Sequence, residues 1–93
     1  MKNTKLLLIR KKLDKLDDRF LSLIQKRTFL VNKVLLTKKF KNQIIDKKRI
    51  KIILKNIKRK SVVKKIDPDI TQRIWRSMIN AYIQYEYKMF KKK

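Results

Sequence analysis

FLSLIQKRTFLVNKVLLTKK, residues 20–39, is the stretch whose reading decides the fold. Counted in sevens, Ile9, Leu16, Leu23 and Leu30 form one apolar row, and Leu13, Phe20, Arg27 and Val34 form the row beside it. Seven of these eight positions are aliphatic or aromatic, and the eighth is an arginine. Side chains that recur at this spacing share one face of an α-helix. A seam of this kind tolerates an arginine only with a reason, because the guanidinium stays charged at every cellular pH.

Extended in both directions, the heptad rows run from about Leu6 to Lys38. A helix of some 33 residues is about 50 Å long at 1.5 Å per residue. A break follows at KKFKNQ, residues 38–43. Helical spacing resumes in IIDKKRIKIILKNIKRK, residues 44–60, with Asp46, Ile50, Ile53 and Ile57 on one stripe. A third helix is expected from Pro68 to about Phe90, since Asp67 followed by the lone proline has the form of an N-cap and a first helical position. Along it Trp75, Ile79, Tyr82, Glu86 and Met89 step by four and three, so a carboxylate also enters an apolar seam.

Composition agrees with an all-α chain. Its 93 residues contain no glycine, no cysteine, no histidine and one proline, which removes tight glycine hairpins, disulfides and cysteine-based metal sites. That length fits one domain, 1–93, with a modest core. The apolar run near the start, Leu6 to Ile9, is too short for a signal peptide or a membrane span, so a cytoplasmic protein without a membrane partner is expected. Net charge is +22. Taken alone it indicates a basic nucleic-acid-binding or regulatory helical protein. Lysine far outnumbers arginine, however, and isoleucine and asparagine are plentiful, a composition that drift produces without any nucleic-acid contact. Most of these lysines read as a solvated face, and no specific nucleic acid is expected as partner.

A 50 Å helix cannot be covered along its length by two shorter helices of the same small chain. Its rows call for a second copy, an intertwined helical homodimer. The cations fit that arrangement. Arg27 and Lys38 are eleven residues apart, roughly 20° from full register and about 16 Å along a continuous helix, so they share a face. Arg10 is seventeen residues before Arg27, about 25 Å away and about 100° around, and cannot serve the same ligand from the same straight helix. In an antiparallel pair it arrives from the other copy. Arg27 can also be a snorkelling arginine at the seam's edge, or one paired with Asp14, Asp17 or Asp18. Glu86 can be the surface partner of a lysine, and Tyr82 a core aromatic. Taken together, though, interior cations in excess call for an anion, because buried charge is costly unless paired. A small dicarboxylate fits.

Arg10, LDKLDDRFLSLIQKR ending at Arg27, Lys38, DKKR at 46–49 and DPDITQRIWRSMINAYIQYE at 67–86 together resemble the all-helical class of chorismate mutases, over nearly the whole chain. The resemblance implies a three-helix protomer in a domain-swapped homodimer with two shared active sites. By the same resemblance, Arg10 of the partner copy and Arg27 take the two substrate carboxylates. Lys38 takes the ether oxygen and a carboxylate, Arg49 supports that cluster, Asp46 lies near the substrate hydroxyl, and Glu86 faces the ether oxygen. No cofactor or metal is implied, and the product is prephenate for phenylalanine and tyrosine biosynthesis. Two positions depart from the pattern: Ile50 stands where a carboxylate is usual, and Tyr82 where a small residue is usual. Both features also occur in isochorismate-pyruvate lyases of the same fold, which form salicylate.

Overall fold

The computed structural model describes residues 3–91 and contains three α-helices: α1 (Thr4–Leu36), α2 (Lys47–Val63) and α3 (Pro68–Met89). The expected all-α fold with one long N-terminal helix is what is found. No described residue lies in a strand, and no helix among the described residues is long and apolar enough to cross a membrane.

The chain divides into two compact units, Met1–Lys33 and Val34–Lys93. The first is the body of α1. Along α1 the apolar rows found by counting in sevens lie open: Ile9, Leu16, Leu23 and Leu30 are 48–60% exposed, as are Leu13 and Phe20, at 53% and 56%, and Val34, at 50%, where the second unit begins. Fourteen of the 23 large hydrophobic side chains exposed among the described residues belong to α1. Each contributes about 1 kcal/mol when the rest of its surface is covered. On the same helix Lys33 places its ammonium 4.7 Å from the centre of the Phe29 ring.

The second unit begins with the last turn of α1, which ends two residues earlier than the periodicity implies. Thr37 and Lys38 donate their amides to the carbonyls of Val34 and Leu35, three residues back, and the Thr37 hydroxyl donates to Val34 as well. The tightened turn consumes the terminal carbonyls, as helix ends require. Lys38 therefore sits just past the helix. Gln43 fixes the following bend: its side-chain oxygen accepts from the amides of Lys39 and Phe40 at 2.7 and 3.0 Å, around the 3-10 turn Lys41–Gln43. Behind that turn Ile44 is buried; it and Leu35 are the buried apolar residues among those described.

α2 starts later than its apolar stripe does. Asp46 is its N-cap, with a carboxylate oxygen accepting from the Arg49 amide at 3.0 Å, so this residue precedes the helix instead of lying on its stripe. At the other end α2 reaches Val63, three residues beyond the expected end. Lys65 then adopts φ 60°, while its amide bonds to the Val62 carbonyl and that of Ile66 to Ser61. This pair of bonds is a Schellman motif, whose left-handed position usually holds glycine. In a chain without glycine a lysine takes it, at a cost of roughly 1–2 kcal/mol.

α3 opens as expected, with Asp67 capping the Asp69 amide and Pro68 at the first position. It packs on α2. Ile50, Ile53, Leu54 and Ile57 are half-buried on α2, as are Trp75, Met78, Ile79, Tyr82 and Ile83 on α3. Polar contacts fix the register. Gln72 donates to the Leu54 carbonyl at 2.9 Å, and the Ser61 and Thr71 hydroxyls meet at 2.6 Å. Ser61 is only 3% exposed, and each hydroxyl also reaches a carbonyl of its own helix, Ser61 that of Ile57 at 2.6 Å and Thr71 that of Pro68 at 3.2 Å.

Candidate functional site

Glu86 is the buried charged residue of the second unit. It lies in the last turn of α3 and is 9% exposed, although its two neighbours in sequence, Tyr85 and Tyr87, are half-buried aromatics. Burial pushes its carboxyl above the ordinary value, because a charge there would lose its water; the Lys38 ammonium acts the other way and only partly offsets this. The carboxyl is thereby shifted towards its neutral form within the field of a cation. Such a pair offers two donors to one acceptor atom, an ammonium and a carboxylic O–H.

Lys38 belongs to a second feature of the same unit. With Asn42, Gln43, Asp46, Lys48 and Tyr87 it lines an open groove of about 670 Å³. The groove's shape follows from local structure already described. The tightened end of α1 releases Lys38 into the loop, Gln43 folds that loop back on itself, and Asp46 closes it at the α2 N-terminus. Three cations and one carboxylate, those of Lys38, Lys47, Lys48 and Asp46, make its lining attractive to an anion.

The other residues singled out in the sequence are distributed as follows. Arg49 is exposed in the first turn of α2, with Ile50 half-buried beside it. Tyr82 is half-buried, its ring edge-on to Tyr85 with centroids 6.3 Å apart. Arg10 and Arg27 lie on α1 in the first unit; Arg10 is exposed and Arg27 half-buried. They are seventeen residues apart on an unbroken helix, about 25 Å. No single small ligand reaches both from one copy. Lys38, Asp46 and Glu86 are thus gathered in one unit, with Lys38 common to the groove and to the buried carboxyl.

Gln43, Asn42 and Tyr87 were not singled out by the sequence. The first two sit in the break between helices, where no periodicity exists to mark a face, and Tyr87 is one position off the seam that contains Glu86.

The sequence matches the family described as chorismate mutase type II over residues 9–87. That span takes in all seven residues singled out above: Arg10, Arg27, Lys38, Asp46, Arg49, Tyr82 and Glu86. No curated protein and no solved structure matches the chain. With the family's pattern running through three helices, the resemblance carried by Arg10, the stretch ending at Arg27, Lys38 and residues 67–86 is borne out: the chain belongs to the chorismate mutase type II family.

Proposed function

We propose that the protein is a chorismate mutase, acting in aromatic amino acid biosynthesis as a homodimer whose two active sites each draw residues from both copies. The observation that carries this reading is Glu86, a buried carboxyl held towards its neutral form and within the field of Lys38, in a chain of this family. The reaction needs no nucleophile. Chorismate rearranges through a chair-like pericyclic transition state, and its enzyme has to hold that conformer and stabilise the charge that develops on the ether oxygen. In the proposed site Arg27 and the other copy's Arg10 clamp the two carboxylates, which supplies orientation. Lys38 and the Glu86 O–H donate to the ether oxygen as the C–O bond breaks, where preorganised donors contribute most. Arg49 reinforces the positive field around the carboxylates, Asp46 faces the substrate hydroxyl, and Tyr82 walls the ring. No cofactor enters the scheme.

The open rows of α1 support the dimer. Seven apolar side chains at heptad spacing, each about half exposed, form a seam that another helix can fill. They also support treating 1–93 as one functional domain, since the family match crosses from the first compact unit into the second.

A second reading, isochorismate-pyruvate lyase, is favoured by one particular pair of positions. Ile50 offers no carboxylate to the chorismate hydroxyl, and Tyr82 fills space that a small residue usually leaves. Separate incubation of the purified protein with chorismate and with isochorismate distinguishes the readings. Prephenate from chorismate is expected. Salicylate and pyruvate from isochorismate, with no prephenate, would move the assignment to the lyase, and turnover of neither would favour a binding protein.

A further inference from the structure

The cations of the chain are not spread evenly. α2 has eight in 17 residues and no acid, whereas α1 intersperses Asp14, Asp17 and Asp18 among its cations. At 100° per residue, Lys47, Lys58, Lys51, Lys55, Lys48 and Arg59 fall, in that angular order, within about 120° of the α2 surface. All six are exposed, and none forms an ion pair. The opposite side of the helix holds Ile50, Ile53, Leu54, Ile57 and Ser61, which face the α3 contact. The stripe runs about 18 Å along the axis, from Lys47 to Arg59. Six of the eight α2 cations share this arc, which carries no carboxylate, while Arg49 and Lys60 fall outside it, at about 200° and 220° from Lys47.

We propose that this outer stripe of α2 is a docking surface for the phosphate backbone of a nucleic acid, bound without regard to sequence. Charge complementarity selects the occupant. Duplex DNA presents one negative charge per about 1.7 Å, so the stripe spans about five base pairs and meets phosphates along its whole length. Lysines, as flexible point charges, suit phosphates and not the bidentate reading of base edges. An anionic membrane fits less well, because an interfacial helix needs an apolar face and this arc includes one aliphatic residue, Val62, at its end. The proposal does not depend on catalysis: Lys51, Lys55, Lys58 and Arg59 are outside the groove that Lys38 lines.

The test is fluorescence polarisation with labelled duplexes of two unrelated sequences, from about 50 to 200 mM salt. If all six cations engage phosphates, the log–log slope should be about −5, and about −3 in Lys51→Gln/Lys55→Gln/Lys58→Gln. Both duplexes should bind alike. A control, Lys5→Gln/Lys11→Gln/Lys15→Gln on α1, should keep the wild-type slope, with circular dichroism verifying that both variants retain their helices. Equal losses in the two variants would overturn the proposal in favour of diffuse charge. So would preference for one sequence, absence of binding at 50 mM salt, or binding to phosphatidylcholine–phosphatidylserine vesicles in the absence of duplex binding.

Discussion

In the proposed reaction one residue, Glu86, carries much of the chemistry. An ionised carboxylate next to an oxygen that is becoming negative repels it, while the protonated form donates to it. Activity should therefore fall as pH rises through the Glu86 pKa, which burial sets above the ordinary carboxyl value. Glu86→Gln keeps a donor at every pH, so its pH–rate profile should lose that alkaline fall; identical profiles for the two proteins would remove Glu86 from the reaction. The same shift has a consequence for stability. Below the unfolded-state pKa both states are neutral and the group contributes nothing; above it the unfolded chain ionises freely while the folded chain resists, so stability declines until the folded pKa is passed. Denaturation of Glu86→Gln and wild type should give similar stability in acid and a more stable variant at neutral pH. Glu86 could be found in the sequence because four-three stepping needs only one intact helix. Asp46 was harder to read, since periodicity counts it onto a stripe while its short side chain, bonding the Arg49 amide, makes it a cap.

At the scale of elements, starts were more legible than ends. Asp67 and Pro68 announce α3 because a cap acceptor followed by a residue without an amide proton suits only a helix N-terminus. The end of α2 gives no such signal: its Schellman turn places Lys65 where glycine belongs, in a chain that has no glycine. Lys65→Gly relieves the steric cost of φ 60° and gives back part of the gain through greater freedom of the unfolded chain. A net stabilisation of about 0.5–1 kcal/mol is expected in chemical denaturation, whereas Lys65→Val should destabilise, because a β-branched side chain tolerates a positive φ poorly. The bend after α1 was illegible for a related reason. Gln43 holds it through two backbone amides, a contact made by local geometry and not by any repeating pattern. The exposed ion pair of Asp69 and Arg73, 3.3 Å long, adds only about 0.3–0.5 kcal/mol and does not decide where α3 forms.

The whole molecule poses the question that opened with Arg27. A chain with two buried apolar residues among those described, and fourteen large exposed ones on a single helix, has most of its hydrophobic surface still uncovered. In the proposed dimer a second copy supplies the cover, and in an antiparallel arrangement it would bring its Arg10 to the Arg27 that the same chain's Arg10 cannot reach. Catalysis and assembly then become one property. Mixing Arg10→Ala with Arg27→Ala tests this most directly. Each variant alone should be inactive with chorismate, for every site lacks one carboxylate clamp. Refolded together in equal amounts, half of the dimers should be mixed, and each mixed dimer should have one intact site, restoring about a quarter of wild-type activity under the two-fold symmetry of such a pair. Mixed dimers that form, as shown by native mass spectrometry, and yet recover no activity would contradict a site built from two copies.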